Sequence, residues 1–387
     1  MSSIPGLLWF RSARRARGVF ILSFVLALAL GACGQGATAN QTPSASATST
    51  STPTPTPTPK PGSAFSYAFA RGGQVWVAQA GKTPQQLSQL PDAGGFNVSA
   101  LAWSPDGKHL AFERAGVGNP VDYVIDTTTG NFMTLNVPST PSAASLGWAD
   151  KNTVVAIKIV GGNTQFWKVD ITSNAPSEIT QVNGTPQVKV LGESIYYSVL
   201  DSNSNQLMLH RYDINLGSEG TPVAITPAGA STLNVNWDVS PDGTHVAMGF
   251  KLDKSDASWD NGFWYINFSD NTDRQPIFDD SEIPFSTFTA NDPITLSFSP
   301  DSQSVVLDTQ NSAGPASEGV DDSNFTTYSP HVGITSQSAI SWAPNGASFA
   351  LISDGNSGQA TIYTLGSKVA GASFVDQANL LTWAPQS

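Results

Sequence analysis

The chain has four histidines, His109, His210, His245 and His331, which are where acid–base or metal chemistry would first be sought. None belongs to a His-Glu-x-x-His motif or to any close spacing that would turn two imidazoles onto one metal. His109 and His245 each stand two residues after a glycine, Gly107 and Gly243. A shared position of that kind reads as part of a repeat rather than as a catalytic pair. The chain has no Gly-x-Ser-x-Gly elbow, no phosphate-cradling Walker loop and no Gly-x-Gly-x-x-Gly after a strand. An Asp-x-Asp-x-Asp-Gly calcium loop is also missing. No catalytic residue, cofactor or metal ligand is therefore expected. A glycan hydrolase or lyase would need converging carboxylates, which only a fold can bring together, so that class stays as the alternative.

Binding chemistry is concentrated in one region. Residues 251–325 hold 14 acidic and three basic side chains. Trp259, Phe285 and Phe288 lie there among Asp253, Asp256, Asp260, Asp279, Asp280 and Glu282. Aromatic faces beside carboxylates suit sugars, cationic peptides or cations. Trp259, Asp256, Asp260, Asp279, Asp280, Glu282, Phe285 and Phe288 are the candidate ligand-binding residues. The plainer reading is a solvated acidic loop with its aromatics tucked onto neighbouring strands.

A single cysteine, Cys33, excludes a disulfide framework and any Cys-rich zinc or iron–sulfur site. Arg11, Arg14, Arg15 and Arg17 precede an apolar run from Val19 to Leu30. That run is shorter than the roughly 20 residues a membrane span requires, but it fits the h-region of an export signal. Leu30-Gly31-Ala32-Cys33 resembles a bacterial lipobox, whose Cys thiol takes a diacylglyceryl group before cleavage. Cleavage there removes four of the 18 basic side chains, leaving 14 against 30 acids, a net charge of −16. Two or more acyl chains, at about 0.8 kcal/mol per buried methylene, hold a protein stably on a membrane.

Residues 34–63 are a tether. Ala37 to Thr52 is mostly Ala, Thr, Ser and Gln, and Pro53 to Pro61 alternates proline with Thr or Lys. Such a stretch has too little apolar surface to fold. Its Thr-Pro part favours polyproline II at about 3.1 Å per residue, a semi-rigid spacer. The expected organisation is a signal peptide over 1–32, a lipidated Cys33 with its tether over 33–63, and a folded domain over 64–387.

The elements that must carry any site come from a repeat. The composition, with 34 Gly, 26 Pro and only 12% charged residues among 387, favours an all-β fold rich in turns. The clear copies are Leu101-Ala-Trp-Ser-Pro-Asp-Gly107, Val239-Ser-Pro-Asp-Gly243, Phe298-Ser-Pro-Asp-Ser302 and Trp342-Ala-Pro-Asn-Gly346. Trp148-Ala-Asp-Lys-Asn152 and Trp383-Ala-Pro385 are weaker, and Val188 to Glu193 is degenerate. The residue before each turn falls at 103, 148, 191, 239, 298, 342 and 383, spacings of 41 to 59. Before the turn, Leu101 and Trp103 or Leu381 and Trp383 alternate with period two, as a strand with a buried face does. Pro fixes φ, Asp bonds the local backbone and Gly tolerates positive φ, which turns the chain. Periods near 40–50 with strand content indicate β-propeller blades. Residues 65–90 lack an inner strand and residues 378–384 supply one, so the ends complete one composite blade.

The Trp-Ser-Pro-Asp-Gly repeat resembles the TolB-like, WD40-like β-propeller family over residues 64–387. The resemblance implies the fold and a tendency to bind proteins or serve as a scaffold, and it carries over no catalytic residue. The expected fold is an all-β, seven-bladed β-propeller closed by its C-terminal strand, with six or eight blades as alternatives. The largest spacing, 59, and the long connections Lys251–Asn261, Asp279–Asp292 and Gln310–Ser323 fall in the acidic region. In an up-down blade all three should share the face opposite the Ser-Pro-Asp-Gly turns. The expected protein is a lipid-anchored monomer on the extracytoplasmic face of a bacterial membrane, at the cell surface or in the periplasm. Its expected partner is a protein, peptide or glycan. A formal charge of −12 argues against nucleic acid. A sensory ectodomain is a further alternative to the binding scaffold.

Overall fold

Short runs of Val, Ile, Thr and aromatic residues, broken by Gly, Asn, Asp and Pro, make every regular element among the described residues a β-strand. The computed structural model describes residues 66–385, apart from internal stretches of which 227–234, 251–261, 279–294 and 328–339 are the longest. The strands form seven antiparallel sheets. The first joins the two ends of the described chain, with Leu380–Trp383 beside Tyr67–Arg71, then Gln74–Ala78 and Gln85–Gln86. Its register pairs Tyr67 with Trp383, Phe69 with Leu381 and Ala70 with Leu380. The sequence-derived complementarity of the two ends is thus observed as hydrogen-bonded pairing.

Sheets two to seven follow in chain order. Their first strands are Asn97–Trp103, Ser142–Trp148, Val188–Leu191, Asn236–Val239, Thr295–Phe298 and Ile340–Trp342. Each ends on a position aligned from the repeat, including the degenerate copy at Leu191. In the fourth sheet a short extra strand, Val223–Ala224, pairs with Gln206–Asp213. One expectation needs correction. The connection Gln310–Ser323 is not one continuous link, because Ala316–Gly319 lies inside it as the third strand of the sixth sheet. Ala-Ser-Glu-Gly has no apolar alternation, so only its backbone pairing with Ser304–Leu307 reveals it.

Successive sheets pack face to face, which explains why the second strands are apolar on both sides. In His109–Gly116, Phe112 faces the seam with the first sheet and Ala111 the seam with the third. The seam between sheets three and four holds Val155, Phe166, Ile195 and Tyr197, and the next holds Tyr196, Leu209, Trp237 and Val246. Burying each large side chain contributes about 1.5–3 kcal/mol. At the inner edge the repeat tryptophans add a directed contact. The indole Nε1 of Trp148 donates to the carbonyl of Ala102 at 3.0 Å. Trp103 donates to Thr382 at 3.2 Å, Trp383 to Ser341 at 3.2 Å and Trp342 to Ser297 at 3.3 Å. Each indole thus reaches back to the inner strand of the preceding sheet.

Candidate functional site

Cys33 and the eight candidate ligand-binding residues, Trp259, Asp256, Asp260, Asp279, Asp280, Glu282, Phe285 and Phe288, lie outside the described residues. The strands that flank them are described. His245–Phe250 starts at the Ser240–Gly243 turn and runs away from it, so Phe250 and its partner Gly262 mark the opposite end of the fifth sheet.

The turn carboxylates are used structurally. In the second sheet the Ser104 hydroxyl donates to Asp106 Oδ1 at 2.8 Å and accepts from the His109 amide at 2.9 Å. Asp106 Oδ1 also accepts from the Lys108 amide at 3.2 Å. Ser240 with Asp242 and Ser299 with Asp301 repeat the arrangement. Gly107 and Gly243 take φ of 68° and 71°, and Ser302 adopts 63° in their place. Partial burial pushes the Asp106 and Asp242 carboxyls upward, but the hydroxyl and amide donors outweigh it and hold both below the usual carboxylate range.

A second carboxylate motif was not singled out in the sequence. Asp126, Asp170 and Asp213 each begin a hairpin between third and fourth strands. Their Oδ1 atoms accept two backbone amides, from Thr128 and Thr129, Thr172 and Ser173, and Asn215 and Leu216. Each is followed four residues later by a positive-φ Gly130, Asn174 or Gly217. Asp-x-x-x-Gly/Asn at near-blade spacing was the available signal. These hairpins lie on the face of the Ser-Pro-Asp-Gly turns, since the amides of Thr127, Ile171 and Ile214 donate to Lys108, Asn152 and Glu193.

Charged groups also link strands and sheets. Lys189 occupies an inner-strand position that is apolar elsewhere, as at Leu101, Leu146 and Leu296. Its Nζ pairs with Asp238 and donates to the Val239 carbonyl at 2.8 Å. Asp238 Oδ2 accepts the Phe298 amide at 2.8 Å, so one carboxylate links sheets four, five and six where the tryptophan device is missing. In the fourth sheet, Glu219 Oε1 accepts the Tyr197 hydroxyl at 2.8 Å and also contacts His210 Nδ1, fastening the outer strand Ser218–Glu219. Between sheets two and three, Lys158 Nζ lies 2.8 Å from Glu113 Oε2 and 2.6 Å from Asp122 Oδ2. These three residues are 1%, 0% and 2% exposed. Burial, opposed by Lys158 and reinforced by Glu113, raises the Asp122 carboxyl to about 6. His109 sits where the repeat placed it, beside Trp148 with ring centroids 6.3 Å apart. No group of three or more His, Cys, Asp or Glu that could hold a metal is found among the described residues.

No protein-family model matches the chain. A probable chloroplastic glutamyl endopeptidase of Arabidopsis thaliana is 26% identical over 168 residues, 38% of this chain. The match takes in only 17% of that protein, so the chain corresponds to less than a fifth of its relative's length. The periplasmic gluconolactonase PpgL of Pseudomonas aeruginosa is similar in structure over 84% of this chain and 99% of its own, with TM-score 0.55 and 13% identity. A prolyl endopeptidase gives TM-score 0.55 and 13% identity over 81% of this chain and 49% of its own. At such identities the likeness is one of fold. The fold is a β-propeller.

Proposed function

We propose that this protein is a lipid-anchored, extracytoplasmic β-propeller of seven blades that binds a protein, peptide or glycan partner and performs no catalysis. The supporting observation is how the described polar side chains are engaged. The turn carboxylates accept backbone amides, the indoles of Trp103, Trp148, Trp342 and Trp383 donate to neighbouring strands, and the interior charges pair across seams. Groups committed in this way hold a rigid ring, which leaves recognition to its surface. The acidic, aromatic stretch between Asp253 and Phe288 departs from the repeat in both length and charge, and it is the binding face in this reading. The lipobox-like Leu30-Gly31-Ala32-Cys33 and the Pro/Thr tether support presentation at a distance from a membrane. Both similar folds include enzymes, and PpgL is an enzyme of about this chain's propeller size, so the test must include turnover. The full-length protein, extracted in mild detergent, would be assayed for saturable binding to envelope proteins and glycans, and in parallel for lactone, glycan and peptide hydrolysis. Saturable binding without turnover is expected. Turnover lost on changing one or two carboxylates to amides would overturn the reading.

A further inference from the structure

Glu113 and Asp122 are cross-strand partners in the second sheet, so both carboxyls point to the same face. Among the described residues the cation facing them is Lys158 of the third sheet, 2.8 Å from Glu113 and 2.6 Å from Asp122. All three side chains are essentially without solvent. One ammonium balances one carboxylate. A second carboxylate, buried and ionised, would stand uncompensated in a medium that makes isolated charge very costly. Glu113 is equipped to be the anion, since its Oε1 accepts the Ser99 hydroxyl at 2.8 Å and its Oε2 the Lys158 ammonium. Asp122 is not. Lys158 approaches its Oδ2 as an ion pair, and no hydroxyl or amide donor reaches either of its oxygens.

The other charges of the packed strands described lie elsewhere, and Glu178, on the outer strand Ala175–Asn183 of the third sheet, is exposed beside Trp167. Arg114 follows Glu113 but turns to the other face, donating to the Pro91 carbonyl at 2.8 Å over the Phe96 ring. On Gly118–Asp126 the other acid, Asp126, caps the turn at the strand's end. In the third sheet Lys168 and Asp170 pair with Val155 and Thr153, toward the turn face, while Lys158 pairs with Gln165. Asn97–Trp103, Phe132–Thr134 and Ser142–Trp148 contain no titratable side chain.

We propose that the seam between the second and third sheets is a proton-binding site, in which Asp122 keeps its proton at mildly acidic pH and donates it to Glu113, so that folding takes up one proton. The seam is then a built-in pH sensor, tightest in mild acid and loosened when Asp122 ionises. This goes beyond the proposed binding role and does not depend on it. With the ordinary carboxyl at 3.8 and Asp122 at about 6, stability falls as pH rises between those values and is level above them. The folding equilibrium constant should drop by about a hundredfold over that window, at most tenfold per pH unit for one proton.

The test is denaturant unfolding of the full-length protein across that window, for wild type, Asp122→Asn and Glu113→Gln. Asp122→Asn should lose this pH-dependent fall and match or exceed wild type above it. Glu113→Gln leaves Asp122 as the lone anion opposite Lys158, so its dependence should change sign, with stability lost as pH falls. The surface pair His210–Glu219 is common to all three proteins and cancels from the differences. Infrared spectra of wild type provide a second readout, independent of whether the variants fold. A protonated-carboxyl C=O band present in mild acid, above the unfolded carboxyl range, and removed by unfolding or by pH above the window is expected. A wild-type slope retained in Asp122→Asn, or a wild-type spectrum without that band, would overturn the proposal.

Discussion

Trp148 and Asp106 both occupy repeat positions, and both act mechanically. The indole of Trp148 ties its inner strand to Ala102 of the preceding sheet. Trp148→Phe keeps the ring but removes the donor, and the Ala102 carbonyl still faces its own sheet. A loss of about 1 kcal/mol is expected, the net worth of one hydrogen bond, against about 3–5 kcal/mol for Trp148→Ala. Denaturant midpoints of the two variants check this. The carboxylates give a second prediction. Asp106, Asp126, Asp170 and Asp242 are held below the ordinary value, so their contribution is present above 3.8 and lost as pH falls through their folded values. Asp122 is shifted the other way, and its contribution is lost as pH rises toward about 6. Stability should therefore peak between these limits, in mild acid. A thermal-melt profile still rising as pH approaches about 6 from below would contradict that sign. Asp106 and Asp242 were legible because Pro and Gly flank them in a repeated turn, whereas Asp126 and Asp170, with partners just as local, lack that signature and were not singled out. Lys158 was not, because Glu113 lies 45 residues away and only sheet stacking brings the two together.

At the scale of the strand, the legible elements are those whose side chains alternate or whose turns carry Pro, Asp and Gly. All seven inner strands could be placed, since each carries apolar residues two apart just before the chain reverses. The outer strands were less readable. Gln85–Gln86 and Ser218–Glu219 are exposed polar pairs, and Ala316–Gly319 is set by backbone pairing alone. The C-terminal strand carries the strongest prediction here. Leu380–Trp383 pairs with Tyr67–Ala70, Trp383 donates to Ser341, and the Thr382 carbonyl receives Trp103. Asn379 also donates to the Val98 carbonyl at 3.0 Å. Deleting residues 378–387 removes contacts to the first, second and seventh sheets together and exposes the edge of Tyr67–Arg71. A sharply lower melting temperature or loss of soluble expression is expected. An unchanged melt would show that the strand does not close the ring.

For the whole molecule, the question is how an acidic ring would meet a membrane and a partner. If Cys33 is the lipidation site, Cys33→Ser should give an uncleaved precursor without labelled fatty acid, and equal labelling would refute the anchor. The proposed binding face was found in the sequence from a break in the repeat, not from any motif. Such a break does not identify what the surface recognises. Residues 251–325 carry a net −11, from 14 acids and three bases, so attraction to a cationic or polar partner there should be partly electrostatic. Such attraction is screened over about 8 Å at physiological ionic strength, and affinity should fall as salt rises. Trp259→Ala combined with Asp256→Asn and Asp260→Asn should weaken binding and flatten its salt dependence while leaving the melt unchanged, since none of these positions belongs to the repeat. The opposite face is the control. There Asp126 and Asp170 are anionic but committed to backbone amides. Replacing either should lower stability without changing affinity measured well below the melt. The two faces thus make opposite predictions for the same two measurements. Affinity that survives the triple substitution but fails on the turn side would assign recognition to the Ser-Pro-Asp-Gly face instead.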